Sequence, residues 1–368
     1  MDDLFAEASR QLTICNACRY CEGYCAVFPA LERRTELREE DITHLANLCH
    51  DCRACFTACM YAPPHEFAIN PPAVLSQVRR RSYDSYLPSL PRPSWLRGRA
   101  AVAVLALGAA ALIAAVAFAV PGSGQQGSPY RVIAYPVMLV LAAAPCAWSV
   151  VVLAVAAVRY WRETSGDQTS GEQASGDQTS GGPSVSVRAL LRATRYAATL
   201  RYLRGGGADC SYPTDEPSAA RRRLHACMAY GFLACVGSTI AAAIEQDIAG
   251  IDPPYSVLSA PVLLGIAGGA GLLAGCTGLI MLKRRADPVS SDPGMTTRDY
   301  GLLTALAVLA ASGLATLIVR QTPAYPAVLA LHLTAVVTSF AIAPYTKFAH
   351  VLYRFLALVK DSAEASPP

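Results

Sequence analysis

The hydrophobic positions divide this chain into a polar head and a long apolar remainder. The amino-terminal quarter contains no long apolar block, whereas six such blocks follow it. Each block is near or above the roughly 20 residues that a transmembrane helix requires. Lipid cannot satisfy open backbone groups, so all six are predicted to be helices. They cover residues 100–120, 132–158, 225–248, 257–282, 300–319 and 326–349.

The composition agrees with a membrane protein that carries a polar head. Of its 368 residues, 53% are hydrophobic and only 16% are charged, against about 25% charged in a typical soluble domain. A Ser/Gly/Asp/Gln repeat at 163–182 cannot bury a core and is predicted to be a linker. We predict a head at 1–95, membrane helices at 96–160, a linker and Arg-rich loop at 161–222, membrane helices at 223–360 and a tail at 361–368.

The basic residues predict the orientation of the bundle. Ten arginines lie in the connection 159–223, and three basic residues follow the fourth block at 283–285. The connections after the first, third and fifth blocks carry one basic residue at most. Since Lys and Arg favour the cytoplasmic side, the head and the carboxyl terminus are predicted to be cytoplasmic. We therefore expect a multi-pass protein of the cell inner membrane, with the lipid bilayer as a partner and no nucleic acid.

Eight of the thirteen cysteines repeat one spacing, C-x2-C-x2-C-x3-C, twice in the head. This spacing is typical of ferredoxins with two [4Fe-4S] clusters, in which the fourth cysteine of each run binds the other cluster. We therefore assign the first cluster to Cys15, Cys18, Cys21 and Cys59. The second cluster is assigned to Cys49, Cys52, Cys55 and Cys25.

Structural zinc and disulfides are the alternatives to these clusters. Zinc sites usually use paired C-x2-C couples and need no third closely spaced cysteine. Disulfides require an oxidising compartment, and no cleavable signal peptide precedes the cysteines. The sequence thus favours an all-α protein, with an N-terminal α-helical ferredoxin-like domain that holds two [4Fe-4S] clusters, followed by a six-helix transmembrane bundle.

Three histidines lie in or beside the apolar blocks, where ionisable groups are functional candidates. His332 and His350 are predicted to share the last helix, five turns and about 27 Å apart on one face. His225 opens the third block at the depth of His350, and two such imidazoles facing each other could bind haem b. Arg222, Arg223 and Lys347 are close enough in sequence to neutralise its propionates. Interfacial side chains, or a quinone or proton path, are the alternatives.

His332 has no obvious partner for a second haem. The stretch of the third helix at its depth carries Glu245 and Gln246. His332 is therefore a candidate for a second haem or for quinone binding, and packing against Tyr325 and Tyr255 is the alternative. The chain has no flavin-binding glycine fingerprint and no hydrolytic constellation, so no catalytic residue is predicted.

Long strings of the sequence resemble the tricarballylate-utilization protein B family, also called citrate-utilization protein B. They include CNACRYCEGYCAVFPALERR, LANLCHDCRACFTACMYAPPHEFAINPP, YLRGGGADCSYPTDEPSAARRRLHACMAYGFLAC and LHLTAVVTSFAIAPYTKFAHVLYR. The last string also resembles the final helix of the membrane subunit of respiratory nitrate reductase, whose two haem-ligand histidines have the spacing of His332 and His350. Family members often have a histidine where this chain has Glu245 or Gln246, and another where it has Ala226.

The resemblance implies a function in electron transfer. A separate FAD-dependent tricarballylate dehydrogenase would oxidise the substrate, and this type of protein would reoxidise its flavin. Electrons would pass through two iron–sulfur clusters and haem b to the membrane quinone. A heterodisulfide-reductase-like or quinol-linked reductase module, with electrons running in the other direction, is the alternative. Transport of a tricarboxylate is a third possibility, but no inverted repeat supports it.

Overall fold

Helices form almost all of the computed structural model, which describes residues 2–88, 99–120, 122–165, 185–207 and 209–365. Most of the predicted linker and the proposed head boundary at residue 95 lie outside the described residues. The helices are α1 Asp3–Cys18, α2 Val27–Glu32, α3 Glu39–Leu48, α4 Ala54–Thr57, α5 Pro71–Ser85, α6 Arg99–Ala119, α7 Tyr135–Thr164, α8 Val187–Ala198, α9 Ala220–Asp247, α10 Ala260–Arg285, α11 Pro293–Ile318, α12 Tyr325–Ile342 and α13 His350–Glu364. In the described part, the strands are one antiparallel pair, β1 Cys210–Ser211 and β2 Pro217–Ser218.

Six helices are long and apolar enough to cross a membrane by length and composition. The all-α prediction and the six membrane helices are therefore confirmed. The predicted ends are less accurate: α9 begins at Ala220, so His225 lies more than one turn inside the helix and does not open it. The six candidate spans are Ala101–Ala119, Tyr135–Thr164, Ala220–Asp247, Ala260–Arg285, Pro293–Ile318 and Tyr325–Tyr345.

Glycines allow α9 and α10 to pack closely. A Cβ atom on Gly275 would lie 2.4 Å from the backbone nitrogen of Met228, and one on Gly231 would lie 2.5 Å from that of Leu272. Small residues let neighbouring membrane helices approach until their backbones touch. The glycine-rich fourth block therefore serves helix packing, and it holds His225 on α9 at a fixed distance from the rest of the bundle.

His332 and His350 do not share one helix. The predicted last helix ends at Ile342 and is followed by two short 3₁₀ segments, Ala343–Tyr345 and Lys347–Ala349. Between them Thr346 is extended, with φ −105° and ψ −179°. Pro344 lacks an amide hydrogen, and such residues interrupt helices. The prediction of a common face five turns apart is wrong, and His350 is the first residue of a new helix.

The head and the bundle share one hydrophobic core. The rings of Tyr83 in α5 and Tyr353 in α13 stack with centroids 5.0 Å apart, and Tyr160 of α7 lies 5.5 Å from Tyr353. The segment predicted as a tail is part of this contact, because α13 continues to Glu364 and buries Asp361. A short helix that carries His350 thus packs directly against the cysteine-bearing head.

Candidate functional site

Thiols of the head line a cavity of about 450 Å³. Its lining includes Cys15 and Cys18 at the end of α1, Cys21 in the following turn, and Cys59 beyond α4. α1 ends because Arg19 adopts the left-handed conformation, with φ 56°, and this turns the chain back over the cavity. Burial and the neighbouring thiols raise the pKa of Cys15 to about 12. We call these four residues the first thiol site.

A second group of thiols lies deeper, between the head and the bundle. It comprises Cys25, Cys49, Cys52 and Cys55, and we call it the second thiol site. Burial, together with the nearby Cys52 and Cys49, raises the pKa of Cys25 well above its usual value. Asp51 and Arg53 both have positive φ, 53° and 64°, so the chain winds tightly around this group. Cys55 also lines the cavity of the first thiol site, and the assignment of the eight cysteines to two clusters stays a prediction.

Iron–sulfur clusters and zinc differ in how closely they draw their ligands together. Zinc draws all its ligands to about 2.0–2.3 Å from one point. Within the described residues, no group of three or more His, Cys, Asp or Glu side chains could hold a single metal ion in this way. A [4Fe-4S] cluster instead takes one thiolate on each of four irons, so its ligands stand further apart around a larger cavity. All thirteen cysteines are free of disulfides.

One further cysteine lies beside the second thiol site. Cys210 is fully buried in a small apolar group with Cys52, and its thiol donates to the carbonyl oxygen of Leu203 at 3.2 Å. It follows the glycine-rich segment Arg201–Gly207, where a Cβ atom on Gly205 would meet Ala54 at 3.5 Å. This loop therefore covers the second thiol site. The sequence could not predict this position, because Cys210 lies far along the chain from the other cysteines.

The rings of His225 and His350 face each other across the contact between α9 and α13. Their centroids are 6.5 Å apart, and their planes are inclined by 86°. Two imidazoles that bind one iron from opposite sides place their ring centres roughly 6–6.5 Å apart, because the metal–nitrogen bonds are about 2 Å long. The separation is therefore suited to bis-histidine haem.

The hydrogen bonding of His350 also fits a metal ligand. Nδ1 of His350 is 2.5 Å from the carbonyl oxygen of Lys347. A ligating histidine usually donates its second nitrogen in this way, which fixes the tautomer and leaves Nε2 free for the metal. Burial and the charges of Arg354 and Lys347 hold the pKa of His350 well below its usual value, so the ring is neutral. Nδ1 of His225 is buried and has no hydrogen-bond partner among the described residues.

Both histidines line a polar cavity of about 760 Å³, which we call the histidine cavity. Three arginines from three different helices also line it: Arg79 of α5, Arg221 of α9 and Arg354 of α13. Buried cations require nearby anions. A bound haem carries two propionates, so the residues present fit this group. Arginine pairs with carboxylates in two-pronged hydrogen bonds, which suits it to hold them.

The three arginines connect this cavity with the second thiol site. Arg79 Nη1 and Arg354 Nη2 donate to the carbonyl oxygen of Cys49 at 2.5 and 2.7 Å. Arg221 donates to the carbonyl oxygen of His50 at 3.2 Å and also to that of Asp51. The three guanidinium groups, which we call the arginine layer, thus lie where the cavity meets the loop 49–52, and His50 and Asp51 of this loop also line the cavity.

The residues predicted to neutralise haem propionates are only partly correct. Lys347 lines the histidine cavity and pairs with Asp299, which also binds Lys283 at 2.5 Å. Arg222 instead pairs with Asp209 at 2.9 Å, and Arg223 is exposed. Consecutive residues of a helix point in different directions, so Arg221 enters the cavity and its two successors do not.

His332 lies apart from this cavity. Its Nδ1 is 3.0 Å from the hydroxyl of Ser312 in α11, and its ring fills the space beside Gly313. The hydroxyl of Tyr255 donates to the carbonyl oxygen of Ala242 at 3.0 Å. His332 does not line the cavities of about 450, 410 and 760 Å³ in the described part of the chain, and its role in binding a second haem or quinone stays a prediction.

Comparison with known proteins places this chain in a family. The family model described as citrate utilization protein B matches residues 88–367, and the model of its Fer4-like domain matches residues 8–85. The chain belongs to the citrate utilization protein B family. A curated member, citrate utilization protein B of Escherichia coli, is 35% identical over 369 residues, which cover 98% of this chain and 92% of that protein. No solved structure matches the chain significantly.

Membership of the citrate utilization protein B family agrees with the geometry. The Fer4-like domain comprises the segment that carries both thiol sites. The remainder carries the six candidate membrane helices. The chain is therefore a membrane iron–sulfur protein whose redox head is fused to a helical bundle.

Proposed function

We propose that this protein reoxidises the reduced flavin of a separate FAD-dependent tricarballylate dehydrogenase, or of a dehydrogenase for a related tricarboxylate, and passes the electrons to membrane quinone. In this proposal the two thiol sites hold two [4Fe-4S] clusters, and His225 and His350 hold haem b. When bound, these groups supply one-electron carriers. The head and the carboxyl terminus face the cytoplasm, and the membrane is the cell inner membrane.

The order of the sites along the molecule carries this proposal. The first thiol site includes Cys18, which is exposed, so it lies within reach of a docked partner. The second thiol site is deeper and next to the first, and Cys55 also lines the cavity of the first. Arg79, Arg221 and Arg354 then join the second site to the histidine cavity. The three sites therefore form a continuous series from the surface of the head into the bundle.

The chain's own residues prepare each site. Six of the eight thiols have a raised pKa, so binding of iron must displace their protons: Cys15, Cys21, Cys25, Cys49, Cys52 and Cys55. The arginine layer holds positive charge between the second thiol site and the cavity, and nearby charge and hydrogen bonds set the potentials of such carriers. The shared core of α5, α7 and α13 keeps the distances between the sites constant. Electrons enter singly, so a two-electron flavin is oxidised in two steps.

The test is reduction of the purified full-length protein by its flavoprotein. The chain is extracted anaerobically from membranes and mixed with the dehydrogenase and its tricarboxylate substrate. We expect the visible absorption of the clusters to bleach and a reduced b-type haem band to appear, and both signals should require the flavoprotein. Dithionite should produce the same changes without it. If dithionite reduces the carriers and the flavoprotein with substrate never does, the proposed function is wrong.

A further inference from the structure

An apolar cavity of about 410 Å³ lies beside the histidine cavity, inside the membrane bundle. It is formed by α9, α11, and the end of α12 with the segment that follows it. We call it the apolar cavity. Its lining includes Phe232, Leu306, Leu309, Ser339, Phe340 and Phe348.

The break after α12 forms one wall of this cavity. Ala343 and Thr346 of the non-helical segment both line it. Irregular backbone at membrane depth is tolerated only where it is buried in protein or lines a cavity. The interruption therefore forms part of the wall of the cavity, just before the point where α13 begins.

The apolar cavity is in contact with the histidine site. Leu302 lines both cavities. The rings of Phe232 and Phe348 lie 5.7 Å apart, and they belong to the two segments that carry His225 and His350. Phe348 precedes His350 by two residues, and Phe232 follows His225 by about two helical turns, or roughly 10 Å. An occupant of the apolar cavity would therefore lie next to the histidine pair.

The chemistry of the lining matches a ring-shaped, weakly polar ligand. Aromatic and aliphatic side chains surround the space, and Ser339 adds one hydroxyl group, whereas the hydroxyl of Thr346 already donates to the carbonyl oxygen of Ala343 at 2.8 Å. Ligand sites generally combine such apolar walls with a few polar groups that orient the ligand. A quinone has a flat ring, two carbonyl oxygens that accept hydrogen bonds, and an apolar tail suited to the bilayer.

We propose that the apolar cavity is the site at which membrane quinone is reduced. This inference rests on the proposed function, and it names the quinone site within that function. One quinone takes up two electrons, which come from the reduced flavin of the partner, and two protons to become quinol. Lys347 and Asp299 form an ion pair in the lining of the histidine cavity, and Lys347 directly precedes Phe348 of the apolar cavity, so this pair offers a polar route for these protons.

Photolabelling of the unaltered protein tests the location. The full-length chain in detergent is illuminated with an azido-substituted quinone, with and without an excess of short-chain ubiquinone, and labelled peptides are identified by mass spectrometry. Labelling on the facing segments of α9, α11 and 339–348, suppressed by ubiquinone, supports the proposal. Specific labelling elsewhere, for instance around His332, overturns the proposal. Labelling of the cavity that ubiquinone does not suppress also overturns it, because the cavity would then hold only lipid acyl chains.

A pair of substitutions on α11 tests the function of the cavity. Leu306→Trp fills the space from a buried position, whereas Val308→Trp adds the same side chain at a position that is 48% exposed. We expect quinone reduction by dithionite-reduced protein to fall roughly tenfold or more in Leu306→Trp, equivalent to 1.4 kcal/mol or more, and to stay unchanged in Val308→Trp. The absorption of clusters and haem should be unaffected in both. Wild-type quinone reduction in Leu306→Trp would overturn the site.

The two results separate this inference from the proposed function. If the flavoprotein reduces the clusters but the azidoquinone labels another region, only the quinone site is wrong. If the protein holds no clusters or haem, the proposed function fails, whatever the cavity binds.

Discussion

The thiol sites and the histidine cavity are assembled in opposite ways. All eight predicted thiol ligands come from two short runs, and each thiol site takes three residues from one run and one from the other. The histidine cavity draws Arg79 from the head, His225 from the third membrane helix and His350 from the last segment. Local spacing therefore encodes the first kind of site, whereas only the packing of distant helices creates the second.

This difference predicts distinct responses to substitution. Loss of one residue in a thiol site should remove that cluster and leave the histidine site occupied. Changes in the arginine layer should instead affect both the second thiol site and the histidine cavity. Arg79 and Arg354 each contact the Cys49 carbonyl and also line the histidine cavity.

The largest effect is expected for Cys59→Ser. Cys59 lines the cavity of the first thiol site together with cysteines of the other run. If it completes that site, iron and acid-labile sulfide should fall from about eight to about four per chain. Cys227→Ser, which changes an exposed cysteine on α9, is the matched control and should retain the full content. Full iron content in Cys59→Ser would show that the fourth ligand lies elsewhere.

His350→Leu should abolish haem b binding, because the facing pair of imidazoles would lose one member. The pyridine haemochrome assay measures haem per chain, and we expect none in this variant while the iron–sulfur content is retained. His332→Leu is the matched control, since this residue contacts Ser312 away from the cavity. Loss of all haem in His332→Leu, with haem retained in His350→Leu, would reverse the assignment.

Arg354→Gln should lower the midpoint potentials of both the second cluster and the haem. A buried positive charge stabilises the reduced, more negative form of each carrier, and Arg354 is placed to act on both. Potentiometric titration followed by EPR and absorption spectroscopy measures these potentials. Arg222→Gln removes a charge that is paired with Asp209 outside the cavity and should leave them nearly unchanged. A shift in only one potential would contradict the shared arginine layer.

The smallest effect concerns the contact between head and bundle at the start of α11. Asp292 caps this helix by accepting from the Met295 amide at 2.8 Å, and it pairs with Arg80 of α5 at 2.7 Å. Asp292→Ala should destabilise the protein by about 1–2 kcal/mol, measured by thermal unfolding in detergent. Asp84→Ala removes the more exposed pair with Arg298 and should cost less than about 1 kcal/mol. Equal losses of stability in Asp292→Ala and Asp84→Ala would mean that the helix cap does not contribute to stability.

The parts that the sequence predicts well are those with local signals. Cysteine spacing predicts the thiol sites because consecutive ligands lie on one turning segment. Block length predicts the membrane helices, because the bilayer sets their minimum length. His225 and His350 could be paired from depth alone, since both lie at the predicted cytoplasmic ends of their spans.

The parts that were missed depend on tertiary structure. Arg79 lies in a polar helix of the head, and nothing local indicates that it reaches a cavity with residues of α9 and α13. The sequence does not predict the break at 343–349, because Pro344 lies within an apolar stretch, where membrane helices often tolerate proline. Asp361 resembles part of a polar tail, yet it is buried beside Arg33 of the head.

The most direct test of the central claim is the EPR spectrum of the anaerobically purified, dithionite-reduced full-length chain. Two [4Fe-4S] clusters in adjacent thiol sites should give interacting signals of reduced clusters that integrate to about two spins per chain. A spectrum without any reduced-cluster signal, from protein that contains zinc and no acid-labile sulfide, would contradict the account.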